Sequence, residues 1–497
     1  MQVLAAAAPI ALILGLMLGL GWSAARAGGL ALGLAVVLAL TLFDFGAGPA
    51  GPSALTGLTG VAAEGGFLTL TILWILWPAL ALHRLQQERG AIEALREGLA
   101  RLTPKPALQG LLVGWLLALF FEGAAGFGTP VALAAPILVG LGFAPVHAVV
   151  LALLGHAAGV SFGALGTPVL AQVALTGLDA VDIAWRTALL HTLLGAVLMG
   201  FFVRTLAAGG HRPGPGWAAL AAAGFLLPSL ALAAIVGPEL ATLGAALVGG
   251  AVFTAALRRS GGGAPSPGLA GALAPYAVLV GLVLLTRAWP PLAQALGSVG
   301  VEWRLFERFQ GRLQPLTHPG TLLMGALLLG AWLQRVPSGA VRAALGHAAR
   351  QLLPVTVALL AMLTLSRLML HAGLIGTLEQ AALQTVGAAW PWVAPAVGAL
   401  GSFVTGSATA SNVLFTTLQA QTATALGLPV TAIVAAQGFG AAVGNIVCPH
   451  NIVAGAATVG LAGREGEVLR RTLLPCLFYL ALGGALVAAL AAFSGAP

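Results

Sequence analysis

The sequence predicts an all-α polytopic membrane protein with about 12–14 transmembrane segments, built as two inverted repeats with broken helices or re-entrant hairpins. Three observations carry that prediction. First, 59% of the 497 residues are hydrophobic, 7% are charged, and the mean hydropathy is +1.00. An average soluble domain is roughly 25% charged, so there is too little polar surface here to face water on all sides. The same composition excludes a disordered chain. Second, apolar runs of spanning length alternate with short gaps that hold the cations. Third, two long apolar stretches, 107–178 and 391–463, are interrupted repeatedly by Gly and Pro.

The first run, 3–22, has no positive segment before it and is long for a signal peptide. It reads as a span with its N-terminus outside and Arg26 inside. A second run at 28–43 completes an N-terminal helical hairpin within 1–57. The gap from Asp44 to Gly57 carries no cation and falls outside. The run 58–82 leads into 83–106, where Arg84, Arg89, Arg96, Arg101 and Lys105 are interleaved at helical spacing with Glu88, Glu93 and Glu97. That pattern predicts a solvated cytoplasmic helix. Further spans fit 184–206, 217–235, 238–257, 269–287, 319–334, 351–371 and 472–493. Arg204 with Arg212, Arg258 with Arg259, and Arg335 with Arg342 and Arg350 then fall inside by alternation. The gap 288–318 falls outside against the rule, its Arg304, Arg308 and Arg312 partly offset by Glu302 and Glu307. Both termini are expected outside. The net charge of +8 therefore reads as orientation in a membrane, with no nucleic-acid partner. Cys448 and Cys476 are too few for a disulfide framework, and no metal or cofactor motif accompanies them.

The two interrupted stretches resemble each other. FEGAAGFGTP at 121–130 is echoed by FVTGSATASN at 403–412. Pro145, Pro168 and Arg186 recur at nearly one spacing as Pro429, Pro449 and Arg470. This argues for a duplication, 58–206 against 351–497, joined by connecting helices over 207–350. Charge sets the relative orientation. The gap 83–106 has five cations and its counterpart 372–390 has none, whereas 464–471 has three Arg and 179–186 has one. The copies are thus expected upside down relative to each other, the architecture of secondary transporters with a site at the repeat interface. Close packing by small residues alone accounts for the Gly, but not for Thr, Ser and Asn clustered beside Pro in both halves.

Glu122 lies deep in an apolar run, where a carboxylate costs roughly 2.5–3.5 kcal/mol. It reads as a proton carrier or as a permanently neutral structural donor. Glu64 and Asp44 sit nearer predicted helix ends and read as interfacial. Gly126 and Thr129 belong to a break whose N–H groups, with Pro130 opening a new helix, would attract an anion. Thr405, Ser407, Thr409, Ser411 and Asn412 offer hydroxyls and an amide in the second break, either to a polar solute or to the freed backbone carbonyls. His156 and Ser161, within the first stretch, and Asn445, His450 and Asn451, around Pro449, are further candidates for proton or solute. For Arg367, snorkelling to the outer interface is favoured over a counter-ion role.

FEGAAGFGTP (121–130), GFAPVHAVVLAL (142–153), FGALGTP (162–168), GSFVTGSATASNVLF (401–415), GNIVCPHNIVA (444–454) and VGLAGREGEVLRRT (459–472) together resemble the L-lactate permease family, which includes glycolate permeases. The resemblance covers mainly 107–190 and 395–475. It implies a symporter of the cytoplasmic (inner) membrane that moves short 2-hydroxymonocarboxylates (L-lactate, D-lactate, glycolate) with protons. It also implies a hairpin-containing, elevator-like fold that is often a homodimer. The family's acidic stretch falls on Glu122 to Gly126, its Thr-Gly-Ser on Thr405 to Ser407, and its Ser-Asn pair on Ser411 and Asn412. Ala408 departs from relatives, which often carry Asp or Asn there, and position 450 is His where some relatives carry Gln. A Na⁺-coupled carrier of another small carboxylate is the alternative. An intramembrane enzyme would need a nucleophile–base pair or metal ligands such as HExxH, which the sequence lacks.

Overall fold

The computed structural model describes residues 1–20, 22–46, 53–126, 128–263, 268–461 and 464–494. Phe127 in the first break, and residues 47–52 of the gap predicted outside, lie beyond the described residues, as do the side chains of Glu93 and Arg96. Helices account for nearly all of the rest, because in hydrocarbon only internally bonded backbone is tolerated. Among the described residues, nine helices are long and apolar enough to cross a membrane, and five shorter apolar helices accompany them. The protein is a multi-pass membrane protein.

The chain runs α1 (Gln2–Leu20), α2 (Ala24–Thr41), α3 (Ala54–Glu88), α4 (Ala91–Leu102), α5 (Pro106–Ala124), α6 (Thr129–Gly140), α7 (Pro145–His156) and α8 (Gly163–Thr176). Then follow α9 (Ala180–Ala208), α10 (Pro215–Ile235), α11 (Pro238–Arg259), α12 (Gly268–Ala288) and α13 (Pro290–Gly297). Two strands, β1 (Val301–Leu305) and β2 (Phe309–Leu313), precede α14 (Pro319–Leu333), α15 (Ser338–His371) and α16 (Leu374–Thr385). The chain closes with α17 (Trp390–Thr405), α18 (Ala408–Ala425), α19 (Val430–Gly444), α20 (Pro449–Thr458) and α21 (Glu465–Ser494).

Two runs share one succession of elements. Each begins with a long helix, 35 residues in α3 and 34 in α15, then a 12-residue helix, α4 or α16. A helix–break–helix follows (α5 and α6; α17 and α18), then a second interrupted segment (α7 and α8; α19 and α20). Helices of 29 and 30 residues, α9 and α21, close them. One apolar core joins α1, α2, α3 and α15; a larger one joins α5 to α7 with α9, α11, α19 and α21.

Three features depart from the sequence-based expectation. The gap 288–318 holds a short antiparallel hairpin, pinned by Glu302 opposite Arg312 at 3.1 Å. Buried Phe309 of β2 rests on Gly60, where any side chain would collide with its ring. Glu64 is not interfacial: it lies three turns into α3 and is 3% exposed. Arg367 does not snorkel. Its Nε donates to Glu64 Oε2 at 2.9 Å, and His371 Nε2 lies 2.8 Å from the same oxygen. The Gln310 N–H adds a bond to Glu64 Oε1 at 3.2 Å. Burial of these charges is tolerated because they are paired with each other. Asp44, by contrast, is exposed just past the end of α2, as expected.

Candidate functional site

The first break is made by backbone. Gly126 and Gly128 adopt φ of +59° and +80°, conformations that only Gly takes at low cost. They end α5 and turn the chain into α6, where Pro130 fits the first turn. Glu122 therefore sits in the last turn of α5, buried at 4% exposure. Its Oε1 packs against Gly163 and faces Gly126. In the second break, Gly406 (φ +77°) caps α17 and Ser407 caps α18, its Oγ accepting from the Ala410 N–H at 3.3 Å.

Opposite these hairpins the second interrupted segment changes hand. After a 3₁₀ stretch at Ala157–Phe162, Ala164, Leu165 and Gly166 all have positive φ (42°, 58° and 79°). Left-handed Ala and Leu cost about 1–3 kcal/mol each and persist only where the surroundings over-determine them. Here the Thr167 Oγ1 donates to the Ala164 carbonyl at 2.6 Å, and Gly166 is clamped against Pro238 of α11. Across the seam, the Asn412 Nδ2 donates to the Pro168 carbonyl at 3.0 Å and the Gln172 Nε2 to the Val434 carbonyl at 2.7 Å.

A cavity of about 30 Å³ opens where these breaks meet. Glu122, Gly126, Gly128, Val160, Gly163, Ala164 and Pro168 line it from the first run; Gly406, Ser407, Ala408, Thr409 and Asn445 line it from the second. Such a volume holds a water or two, less than a three-carbon acid needs. The starts of α6 and α18 both face it with the positive ends of their dipoles, which favour an anion; in α6 the Thr129 N–H is already bonded to the Gly126 carbonyl at 3.0 Å and Pro130 has no N–H to give.

The structure thus brings Glu122, Gly126, Ser407, Thr409 and Asn445 to one place. Other predicted candidates stand off it, engaged with backbone. Thr129 donates to the Gly126 carbonyl at 2.7 Å and Thr405 to Gly401 at 2.8 Å. Ser411 donates to the Gly398 carbonyl at 2.7 Å, and Asn412 is spent on Pro168. His156 Nδ1 lies 2.7 Å from the Ala152 carbonyl, with Asn445 beside its ring. Ser161 donates to the Gly438 carbonyl at 3.1 Å and lies 2.9 Å from His191 Nε2; His191 in turn reaches the Tyr479 hydroxyl at 3.1 Å. Asn451 is buried, bonded to Asn445, with its Oδ1 toward Gly128. His450 is exposed and packs over Gly406.

Sequence reasoning missed Gln437, whose Nε2 bonds Ser411 Oγ at 3.1 Å and whose Oε1 accepts from Gln419 at 3.0 Å. An amide alone in a Gly/Ala run was its signal. It also missed Glu239, buried in the first turn of α11 beside the Pro238 that backs Gly166.

Gly163→Ala is expected to disturb the site without unfolding it. The added Cβ meets the far end of Glu122, which can swing away, and Gly163 has an ordinary φ of −60°. We expect the solute uptake that the sequence resemblance implies to fall about tenfold or more in initial rate, with an unchanged melting temperature in detergent.

Comparison with known proteins places the chain in a family. Residues 2–262 and 308–493 match the family model described as L-lactate permease. The chain is 30% identical over 460 residues to the L-lactate permease of Salmonella typhimurium, covering 83% of each protein. It is 29% identical over 483 residues to the glycolate permease GlcA of Escherichia coli, covering 85% of each. Among solved structures, the YdaH transporter of Alcanivorax borkumensis shares the fold at a TM-score of 0.52 and 18% identity, over 94% of this chain and 99% of that one. The chain, a helical membrane protein with broken segments meeting at a buried acid, belongs to the L-lactate permease family, whose members are transporters and not enzymes.

Proposed function

We propose that this protein is a secondary active transporter of short 2-hydroxymonocarboxylates (L-lactate, D-lactate or glycolate), which it moves across the cytoplasmic membrane in symport with a proton. The observation that supports the reading best is the convergence of two helix N-termini, those of α6 and α18, on the buried carboxylate of Glu122. In this reading the substrate carboxylate is held by the N–H groups of Ala408 and Thr409 at the start of α18 and by the positive end of the α6 dipole. The hydroxyls of Ser407 and Thr409 and the amide of Asn445 bind the 2-hydroxyl. The proton rides on Glu122, so that no net charge crosses with the solute. The two runs, 58–206 and 351–493, act as inverted repeats, and both termini face outside. The narrow cavity is then a closed state that must widen to admit substrate. The relatives' names support the substrate class, and the buried acid supports the proton.

Labelled L-lactate uptake into proteoliposomes tests the reading. An imposed inward proton gradient should drive saturable accumulation, and replacing Na⁺ with choline at fixed pH should leave it unchanged. Accumulation that follows Na⁺ and ignores pH would replace the proton with sodium. Absence of uptake of lactate and glycolate alike would overturn the substrate class.

A further inference from the structure

Away from the carrier site, a cavity of about 360 Å³ lies between α5, α11 and α12. That is within the range of roughly 300–1,000 Å³ typical of ligand sites. Its walls are apolar: Leu112, Leu116 and Phe120 of α5, Gly250 of α11 and Leu273 of α12. α5 is π-helical over Leu112–Leu117, on the stretch that faces it. Such bulges are rare and frequent at functional sites. Among the described residues, the one charged side chain in the lining is Arg258, in the last turn of α11.

Arg258 has a cationic neighbour in the chain, and the end of a helix that carries another cation lies against the turn beyond it. Arg259 follows it, and the turn beyond leans on the end of α4. The Gly263 N–H donates to the Leu102 carbonyl at 3.2 Å, and Gly263 packs on the Arg101 backbone. Arg101, in the last turn of α4, therefore lies beside the turn that follows Arg258, and Lys105 comes four residues later in the chain, with Glu97 one turn back on α4 as the described acidic group there. From Arg258 to Ala246 the groove runs along about 18 Å of helix, the length scale of an acyl chain. An apolar slot ending in a basic cluster matches an amphiphile with an anionic head.

We propose that this groove binds an anionic phospholipid, its acyl chain along the π-helical wall and its phosphate at Arg258. The deep end reaches Phe120, two residues before Glu122 on the same helix. A bound chain therefore braces the last turns of α5, which carry the acid.

The test uses the purified full-length protein in mild detergent. The probes are phosphatidylglycerol, phosphatidylcholine with the same chains, and inorganic phosphate, with retention read by native mass spectrometry and stabilisation by melting temperature. Phosphatidylglycerol should be retained and raise the melting temperature, while phosphatidylcholine and phosphate do neither. Arg258→Gln should weaken phosphatidylglycerol about fivefold. Gly250→Leu, at a position where a Cβ meets nothing within 4 Å, should block the slot with Arg258 intact. Equal retention of the two lipids, wild-type binding by Arg258→Gln, or cross-linking of this face to a second copy in place of lipid would each overturn the proposal. Arg258→Gln alters an exposed side chain, so it carries the test even if Gly250→Leu does not fold.

Discussion

Glu122→Gln is expected to lower pH-driven uptake by about two orders of magnitude while leaving exchange of labelled for unlabelled lactate intact. The amide has the shape of the protonated acid, so it still fits against Gly163 and Gly126. It cannot give up a proton. A carboxylate at membrane depth is held against roughly 2.5–3.5 kcal/mol, and a coupling built on that difference is worth about a hundredfold. Counterflow does not require the carrier to return empty, so a locked neutral site still supports it. In the proposed cycle net uptake does require it, because the empty carrier must first release its proton. Both modes are measurable in the same proteoliposomes. Wild-type rates of gradient-driven uptake by the Gln variant would remove Glu122 from the coupling.

Glu64→Ala is expected to cost about 3 kcal/mol of stability. The carboxylate binds Arg367 and His371 through one oxygen and the Gln310 N–H through the other. Arg367 also reaches the Leu175 carbonyl at 3.5 Å, near the end of α8. Removing the acid leaves a mostly buried guanidinium between α3 and α15 with no carboxylate partner among the described residues. Losing both partners is far milder, because the penalty belongs to the orphaned charge and not to the pair. Glu64→Leu with Arg367→Met should therefore be closer to the wild type than Glu64→Ala alone. Melting of the three variants in one detergent checks the order. If the double variant melts below Glu64→Ala, the cluster is not held by pairing.

What was legible in the sequence was chemistry out of place. Glu122, Ser407 and Asn445 each put a polar group beside a Gly, Thr409 follows two residues after Ser407, and they meet at one cavity. Residues that line it with backbone carried no polar signal: Gly163, Ala164 and Pro168 stand out in the sequence only as part of the FGALGTP motif and the repeat spacing, and the reversed hand of the chain at 164–166 is visible only in the structure. Long-range partners were also hidden. Glu64 and Arg367 are 303 residues apart, and His191 and Tyr479 are 288 apart. Hydropathy told that each was in or near a span, but not which span faced which. Arg367 was read as snorkelling because its run ends four residues later, a sound inference for a lone cation and wrong for one with an acid opposite. The β-hairpin escaped because its strands are five residues each and its apolar anchor, Phe309, is a single side chain.

The bond from the Asn412 amide to the Pro168 carbonyl has a consequence for how such a protein can change over generations. Its donor is a side chain and its acceptor is main chain, so the two partners drift under different rules. The acceptor survives almost any substitution that keeps the kink, while the donor tolerates almost none. Inherited variation at this seam should therefore be lopsided, with freedom on the side that lends its carbonyl and stasis on the side that lends its amide.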